Sequence, residues 1–260
     1  MHIRQIIGAL EDFAPLALQD SYDNAGLQIG LTKDAETSGV LLCLDVTEEV
    51  IDEAIELGCN MIVSHHPLLF MPLKSISGKN YIERCVIKAI KNDITIYAAH
   101  TNLDSAKNGV NYKIAEKLGL KDIEWLKPKE GADAGEGIIG KLSSPMQKDE
   151  FLTSVKEIFG VDALRFNGWN GKQVSRVAVC GGAGNFLIPT AISKGCDAFI
   201  TGEIGYHRFF GHENEILLLE LGHYESEKFT IEILRNIITS IDNNIQVYIT
   251  NKKTNPINYL

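Results

Sequence analysis

Long apolar runs are missing from this sequence. No stretch approaches the roughly 18 residues that would span a membrane, so a membrane-spanning helix is not expected. C-x-x-C pairs are missing as well. The five cysteines, at 43, 59, 85, 180 and 196, are odd in number. A disulfide framework or thiolate zinc site is therefore not expected, and small buried thiols in a reducing cytoplasm are. Net positive charge is lacking: 25 Lys and Arg stand against 34 Asp and Glu, a formal charge of −9. That argues against bulk binding to nucleic acid or an anionic membrane, while leaving room for a local basic patch. There is no G-x-S-x-G elbow and no cysteine paired with a nearby histidine, which removes the usual nucleophilic serine and cysteine chemistries. The opening "MHIRQIIGALEDFAPLAL" has charges inside its apolar pattern and no small-residue cleavage site. It reads as a helix of the mature chain, not a signal peptide.

The 260 residues, 45% hydrophobic and 23% charged, suit one large α/β domain or two smaller lobes. Residues 39 to 66 read as a β-α-β unit. "GVLLCL" is an apolar strand, Thr47 can cap a helix whose apolar face is Val50, Ile51, Ala54 and Ile55, and Gly58 stops it. "NMIVS" is the next strand, with His65 just past its carboxyl end. A helix over 80–91, the strand "ITIYAA" and the helix "KNGVNYKIAEKLGL" follow. A shift of 137 lays "GVLLCLDVTEEVIDEAIELGCNMIVSHH" over "RVAVCGGAGNFLIPTAISKGCDAFITGE" without a gap, matching Cys43 to Cys180 and Gly58-Cys59 to Gly195-Cys196. The two halves read either as an internal duplication or as two β-α-β units made alike by shared physics, since the identities are few. "IYAAHTNLD" and "LELGHYESE" repeat a second pattern, a short strand ending in His-x-x-x-acid: His100 with Asp104, His223 with Glu227. Alternating strands and helices imply two α/β lobes with largely parallel strands, and ligands in such folds bind outside the strand carboxyl ends. "LKPKEGADAGEG" (126–137) is the candidate linker, dividing a first lobe, 1–125, from a second, 126–260, the alternative being a single intertwined fold. After it, "IIGKL" reads as a strand and "QKDEFLTSVKEIFG" as a helix.

Adjacent side chains on a regular strand point to opposite faces. His65 and His66 can serve one centre only if the strand is ending, as Pro67 indicates, or if two metals lie close together. His65, His66, Asp104, His223 and Glu227 all fall at predicted strand ends. Imidazole and carboxylate are the ligand types of zinc, iron, manganese, nickel and cobalt sites, and the set does not choose among them. Five protein ligands are too many for one catalytic ion with an open position. They suit two divalent ions about 3.5–4 Å apart. His100 reads either as a residue orienting Asp104 or a water, or as a packed strand-end histidine. Glu203 and His207 could hydrogen-bond substrate or shuttle a proton, or lie in a surface loop. His2 and His212 read as surface residues.

The glycine-rich pieces are weaker signals. "GEGIIG" (135–140) matches G-x-G-x-x-G but leads into a strand, and Leu142 stands where a phosphate loop needs Ser or Thr. "CGGAGN" (180–185) could cradle an anion or simply turn the chain from strand to helix. In "SYDNAGLQIG", Asp23 and Asn24 could approach the cleft or make the turn's own hydrogen bonds.

With "SHHPLLF", "HTNLD" and "GHYESE" assembled, the chain resembles the Nif-three-like family, whose members carry the name type-two GTP cyclohydrolase I. The resemblance runs nearly end to end. It implies two α/β lobes with the metal site between them, a dinuclear centre on His65, His66, Asp104, His223 and Glu227 with Glu227 touching both ions, and a ring-shaped homohexamer. Tyr22 departs from the family's common tryptophan before "DN". "GYH" replaces a pair of basic or histidine residues after "TGEI", which weakens any role for His207, and residues 121–175 are too few for the inserted domain of longer members. The expected function is a hydrolase in which a metal-bound hydroxide attacks an anionic, nucleotide-like ligand, with Lys74 or Lys79 available to meet the anion. Nothing in these residues selects guanine. The alternative is a non-catalytic metal-binding or regulatory ring.

Overall fold

A computed structural model describes residues 1–30 and 35–260. The chain divides into two compact units, one formed by Met1–Leu103 with Thr230–Pro256 and the other by Asp104–Phe229 with Ile257–Leu260. In chain order the first unit holds α1 (Ile3–Phe13), β1 (Gly26–Ile29), β2 (Val40–Cys43), α2 (Glu48–Glu56), β3 (Met61–Ser64), α3 (Tyr81–Lys91) and β4 (Thr95–Ala98). The short helix α4 (Thr101–Ser105) leads into the second unit, with α5 (Val110–Lys117), β5 (Lys121–Pro128), β6 (Gly135–Gln147), α6 (Lys148–Phe159), β7 (Arg165–Phe166), β8 (Gln173–Cys180), α7 (Ile188–Ser193), β9 (Ala198–Thr201), β10 (Leu217–Glu220) and α8 (His223–Glu227). The chain then returns to the first unit with α9 (Thr230–Ile241) and β11 (Val247–Ile249). None of the helices among the described residues is long and apolar enough to cross a membrane.

The first sheet runs β1-β4-β3-β2-β11, and the second β5-β6-β8-β9-β10-β7. Each is a mixed sheet with a parallel core: β4, β3, β2 and β11 in the first, β8, β9 and β10 in the second. Antiparallel strands flank them, β1 in the first sheet and β6, β5 and β7 in the second. The mostly apolar strands β2, β3, β4 and β9 of the parallel cores are buried at every position, as such strands must be when helices cover each side. Leu41, Cys43, Ile62 and Ile96 pack against Val50, Ile51, Ala54, Val86 and Ala89 of α2 and α3. Ala178, Cys180, Phe199 and Leu218 pack against Ile188 and Ala191 of α7. All five cysteines are buried and free, and burial pushes the Cys59 thiol up to about 11 and Cys85 up to about 12.

The helix ends follow the local sequence. Thr47 Oγ1 accepts from Val50 N at 3.3 Å and two glutamates fill the first turn of α2, where a helix N-terminus favours negative charge. Asn80 caps α3 in the same way, accepting from Glu83 N at 2.9 Å. The stretch 126–137, expected as a linker, is instead a hairpin: β5 ends at Pro128 and β6 begins at Gly135, paired antiparallel. Glycine and proline mark a chain reversal equally well within a sheet and between domains.

The repeat is present in the ladders. β2–β3 pairs Val40 with Met61 and Cys43 with Ser64; β8–β9 pairs Val177 with Ala198 and Cys180 with Thr201, each residue displaced by the same shift. The next strands correct the sequence pairing by one residue. Ala98 lies opposite Ser64 and Glu220 opposite Thr201, so Thr101 corresponds to His223, not His100. α4 and α8 begin at those two residues. Backbone pairing counts from the neighbouring strand, whereas the His-x-x-x-acid match counted from side-chain likeness.

Candidate metal centre

In the first unit, β3 stops at Ser64, yet its pairing persists: His65 N donates to Cys43 O and His66 N to Leu44 O. Ser64 Oγ donates to the His66 carbonyl at 2.8 Å, and with Pro67 next the exit from the strand is set. His65 is fully buried, and its Nδ1 lies 2.7 Å from Ala99 O. His66 Nδ1 lies 2.8 Å from Asp45 Oδ1. Asp45 follows β2, the parallel neighbour of β3, which puts it beside His66. Burial is the largest single influence and would raise the Asp45 carboxyl, but the hydrogen bonds from His66 and Thr254 and the neighbouring imidazoles together hold the group below its ordinary value. An imidazole that donates its Nδ1 proton to an oxygen presents the Nε2 lone pair outward, the usual way a protein orients a metal-binding histidine.

His100 completes a group of three imidazoles, with ring centroids 5.4 Å from His65 and 5.5 Å from His66. Its Nδ1 lies 2.7 Å from Asp23 Oδ1. Asp23 Oδ2 accepts from the Thr101 backbone and hydroxyl. Burial would raise Asp23, yet these hydrogen bonds bring it down to about 2. Asp23 thus reaches the strand-end histidines, while Asn24 donates to Leu69 O at 2.7 Å.

In the second unit, His223 and Glu227 stand at opposite ends of α8, so the four-residue spacing returns both to one face. His223 Nε2 is 3.2 Å from Glu227 Oε2, and its Nδ1 is 2.8 Å from Glu203 Oε1. Glu227 is buried, whereas Glu203 is exposed. Asp104 is placed by Asn111, which donates to the Asp104 carbonyl and accepts from Gly181 N. Gly182, at φ +59°, leaves room for Glu227; a Cβ there would collide with Glu227 Oε1. Gly202 occupies the place in this unit that His65 takes in the first. A Cβ on it would lie 2.7 Å from Ser226 Oγ and 2.9 Å from His223 Cα, so the repeat gives up its strand-end histidine where α8 packs. The anion cradle considered for "CGGAGN" is not open: the amides of Gly181, Gly182 and Gly184 donate to Asn111, Ser226 and Thr201 side chains. His207 is exposed, its ring 5.2 Å from Tyr206 and 6.3 Å from Phe210.

His65 and His66 are candidate ligands in the first unit, and Glu227, with His223, in the second. Two oriented imidazoles and a buried carboxylate suit a borderline divalent cation. Sequence reading had missed Asp45. Its only sign was its position after β2, opposite the histidine pair.

These features describe a mixed α/β protein with candidate metal-ligating residues beyond the ends of its parallel strands. The family model described as Duf34/NIF3 (NGG1p interacting factor 3) matches residues 1–256, and the chain belongs to that family. It is 36% identical over 230 residues to the "GTP cyclohydrolase 1 type 2 homolog" of Clostridium acetobutylicum, covering 87% of this chain and 85% of the relative. To the protein of the same name from Clostridium perfringens it is 34% identical over 263 residues, with both chains fully covered. Among solved structures, a Staphylococcus aureus protein matches with a TM-score of 0.91 at 28% identity, covering 100% of this chain and 99% of the other.

Proposed function

We propose that the protein is a dinuclear metal-dependent hydrolase of an anionic, nucleotide-like substrate, in line with the name its relatives carry. His65, His66, Asp104, His223 and Glu227 would hold two divalent ions. When bound, the ions would supply Lewis acidity and an activated water. The observation that supports the reading is the common orientation of the histidines: His65, His66 and His223 each place Nδ1 against an oxygen acceptor, the arrangement by which a protein orients a metal-binding imidazole. Asp45 and Glu203 are the orienting carboxylates, and Glu227 supplies buried negative charge. Glu203 and His207 are also proposed to face the substrate. Five buried thiols support a cytoplasmic setting, which we propose with the activity.

Elemental analysis of the purified chain, reloaded with several metals, tests the proposal. About two ions per chain are expected, and a content well below one sinks it. Screening the loaded protein against nucleotides and phosphoesters then separates the classes. Metal without turnover over a broad panel would favour a non-catalytic metal-binding or regulatory protein.

A further inference from the structure

Beside the histidine group of the first unit stand two exposed aromatic rings that no part of the metal chemistry uses. Phe70 is 41% exposed and Tyr22 65% exposed, edge to face at 6.4 Å between centroids. Phe70 in turn lies 6.2 Å from the His100 ring. Exposed aromatics on a loop tip ordinarily move, but these are braced. Asn24 Nδ2 donates to Leu69 O, Leu69 N donates to Gln28 Oε1, and Gln28 Nε2 donates to the Asn24 carbonyl. This ring of hydrogen bonds fastens the residue before Phe70 to the segment after Tyr22. The Tyr22 hydroxyl donates to Asp20 Oδ2 at 3.0 Å, which orients its ring. Large apolar rings left in water and held rigid have already lost the conformational freedom that binding would otherwise cost.

We propose that Tyr22 and Phe70 form a stacking shelf for a planar heteroaromatic ring, and so set the specificity of the site for the base portion of its substrate. The inference rests on the hydrolase reading and deepens it. A flat ring seated on Phe70 lies one aromatic residue away from His100 and the strand-end imidazoles. Base–aromatic stacking is tolerant of base identity, because every base presents a π face; the shelf therefore selects planar over non-planar substrates and does not by itself select guanine. Both residues act by contact with the ligand and are assigned no proton-transfer step.

The test compares ligands with and without a base. Guanosine monophosphate, adenosine monophosphate and ribose 5-phosphate are titrated calorimetrically into the metal-loaded full chain, into Phe70→Ala/Tyr22→Ala and into Phe70→Trp. Both nucleotides are expected to bind at least about tenfold tighter than ribose 5-phosphate. The double variant should lose about 10- to 100-fold for the nucleotides and nothing for the sugar phosphate, and Phe70→Trp should retain nucleotide binding. Metal content, measured on the same samples, should be unchanged. The inference is overturned by equal binding of nucleotide and sugar phosphate, by undiminished nucleotide binding in the double variant, or by no nucleotide binding. Two ions per chain and phosphoester turnover without base preference would remove the shelf and leave the hydrolase. A base preference lost in the double variant, in a chain that never takes up metal, would remove the hydrolase and leave the shelf.

Discussion

Glu227 is a buried carboxylate 3.2 Å from His223 Nε2. Two dications held close repel strongly, and anionic ligands offset that repulsion. Glu227→Gln keeps the shape and loses the charge, so it is expected to abolish binding of the second ion. His100→Ala removes a neighbouring imidazole and should cost no more than about 10–100-fold in affinity. Metal titration of the two variants decides between them; if Glu227→Gln binds two ions as tightly as wild type while His100→Ala does not, His100 is a ligand. Gly182 offers a second check. Gly182→Ala and Gly195→Ala both place alanine at positive φ, +59° and +66°, a strain of about 1–2 kcal/mol. Nothing lies within 4 Å of a Cβ at Gly195, whereas one at Gly182 strikes Glu227. Both variants should lose similar backbone stability by urea unfolding, and only Gly182→Ala should lose metal affinity, by about tenfold or more.

At the scale of elements, the carboxyl end of β4 and the start of α4 are tied to the segment before β1 through Asp23, which receives hydrogen bonds from His100 and from Thr101. The Asp23 carboxyl ionises at about 2 in the folded chain, below its ordinary value of 3.8. Its ionised form therefore stabilises the fold above about pH 4, and the contribution disappears as pH falls from about 4 towards 2. The shift corresponds to about 2 kcal/mol. Asp23→Asn in the metal-free chain should be less stable than wild type by about that amount at pH 7, with the gap closing near pH 2. Urea midpoints across that range measure it. A gap that stays constant would assign the loss to packing instead. The elements themselves were largely legible. The apolar runs of β2, β3, β4, β8 and β9 stand out because both of their faces are buried, and the caps of α2 and α3 are local. β1 was not legible inside "SYDNAGLQIG", because a four-residue edge strand with one exposed face carries little periodic signal.

For the whole molecule, a homohexameric ring is proposed on the family resemblance and on no contact within this chain. Light scattering at micromolar concentration should report six chains, and a monomer there would remove the ring. The most non-local feature inside the chain is the return of α9 and β11, which complete the first sheet more than 200 residues after β1 begins it. Val247 pairs with Val40, and Thr250 N donates to Leu42 O. No local signal in "IQVYIT" says which sheet that strand will join.

The sequence by itself determined the repeated β-α-β units, the ends of their strands and the ligand types placed there, because side-chain period, caps and breakers act over a few residues. It was enough to name His65, His66 and Glu227 as candidate ligands. Only the tertiary structure decided which oxygen each imidazole faces: Asp45 for His66, the Ala99 carbonyl for His65, Asp23 for His100 and Glu203 for His223. Those partners are 20 to 77 residues away. A hydrogen bond across such a separation exists because strand pairing and helix packing bring the two groups together, and no pattern in the residues flanking either one encodes it.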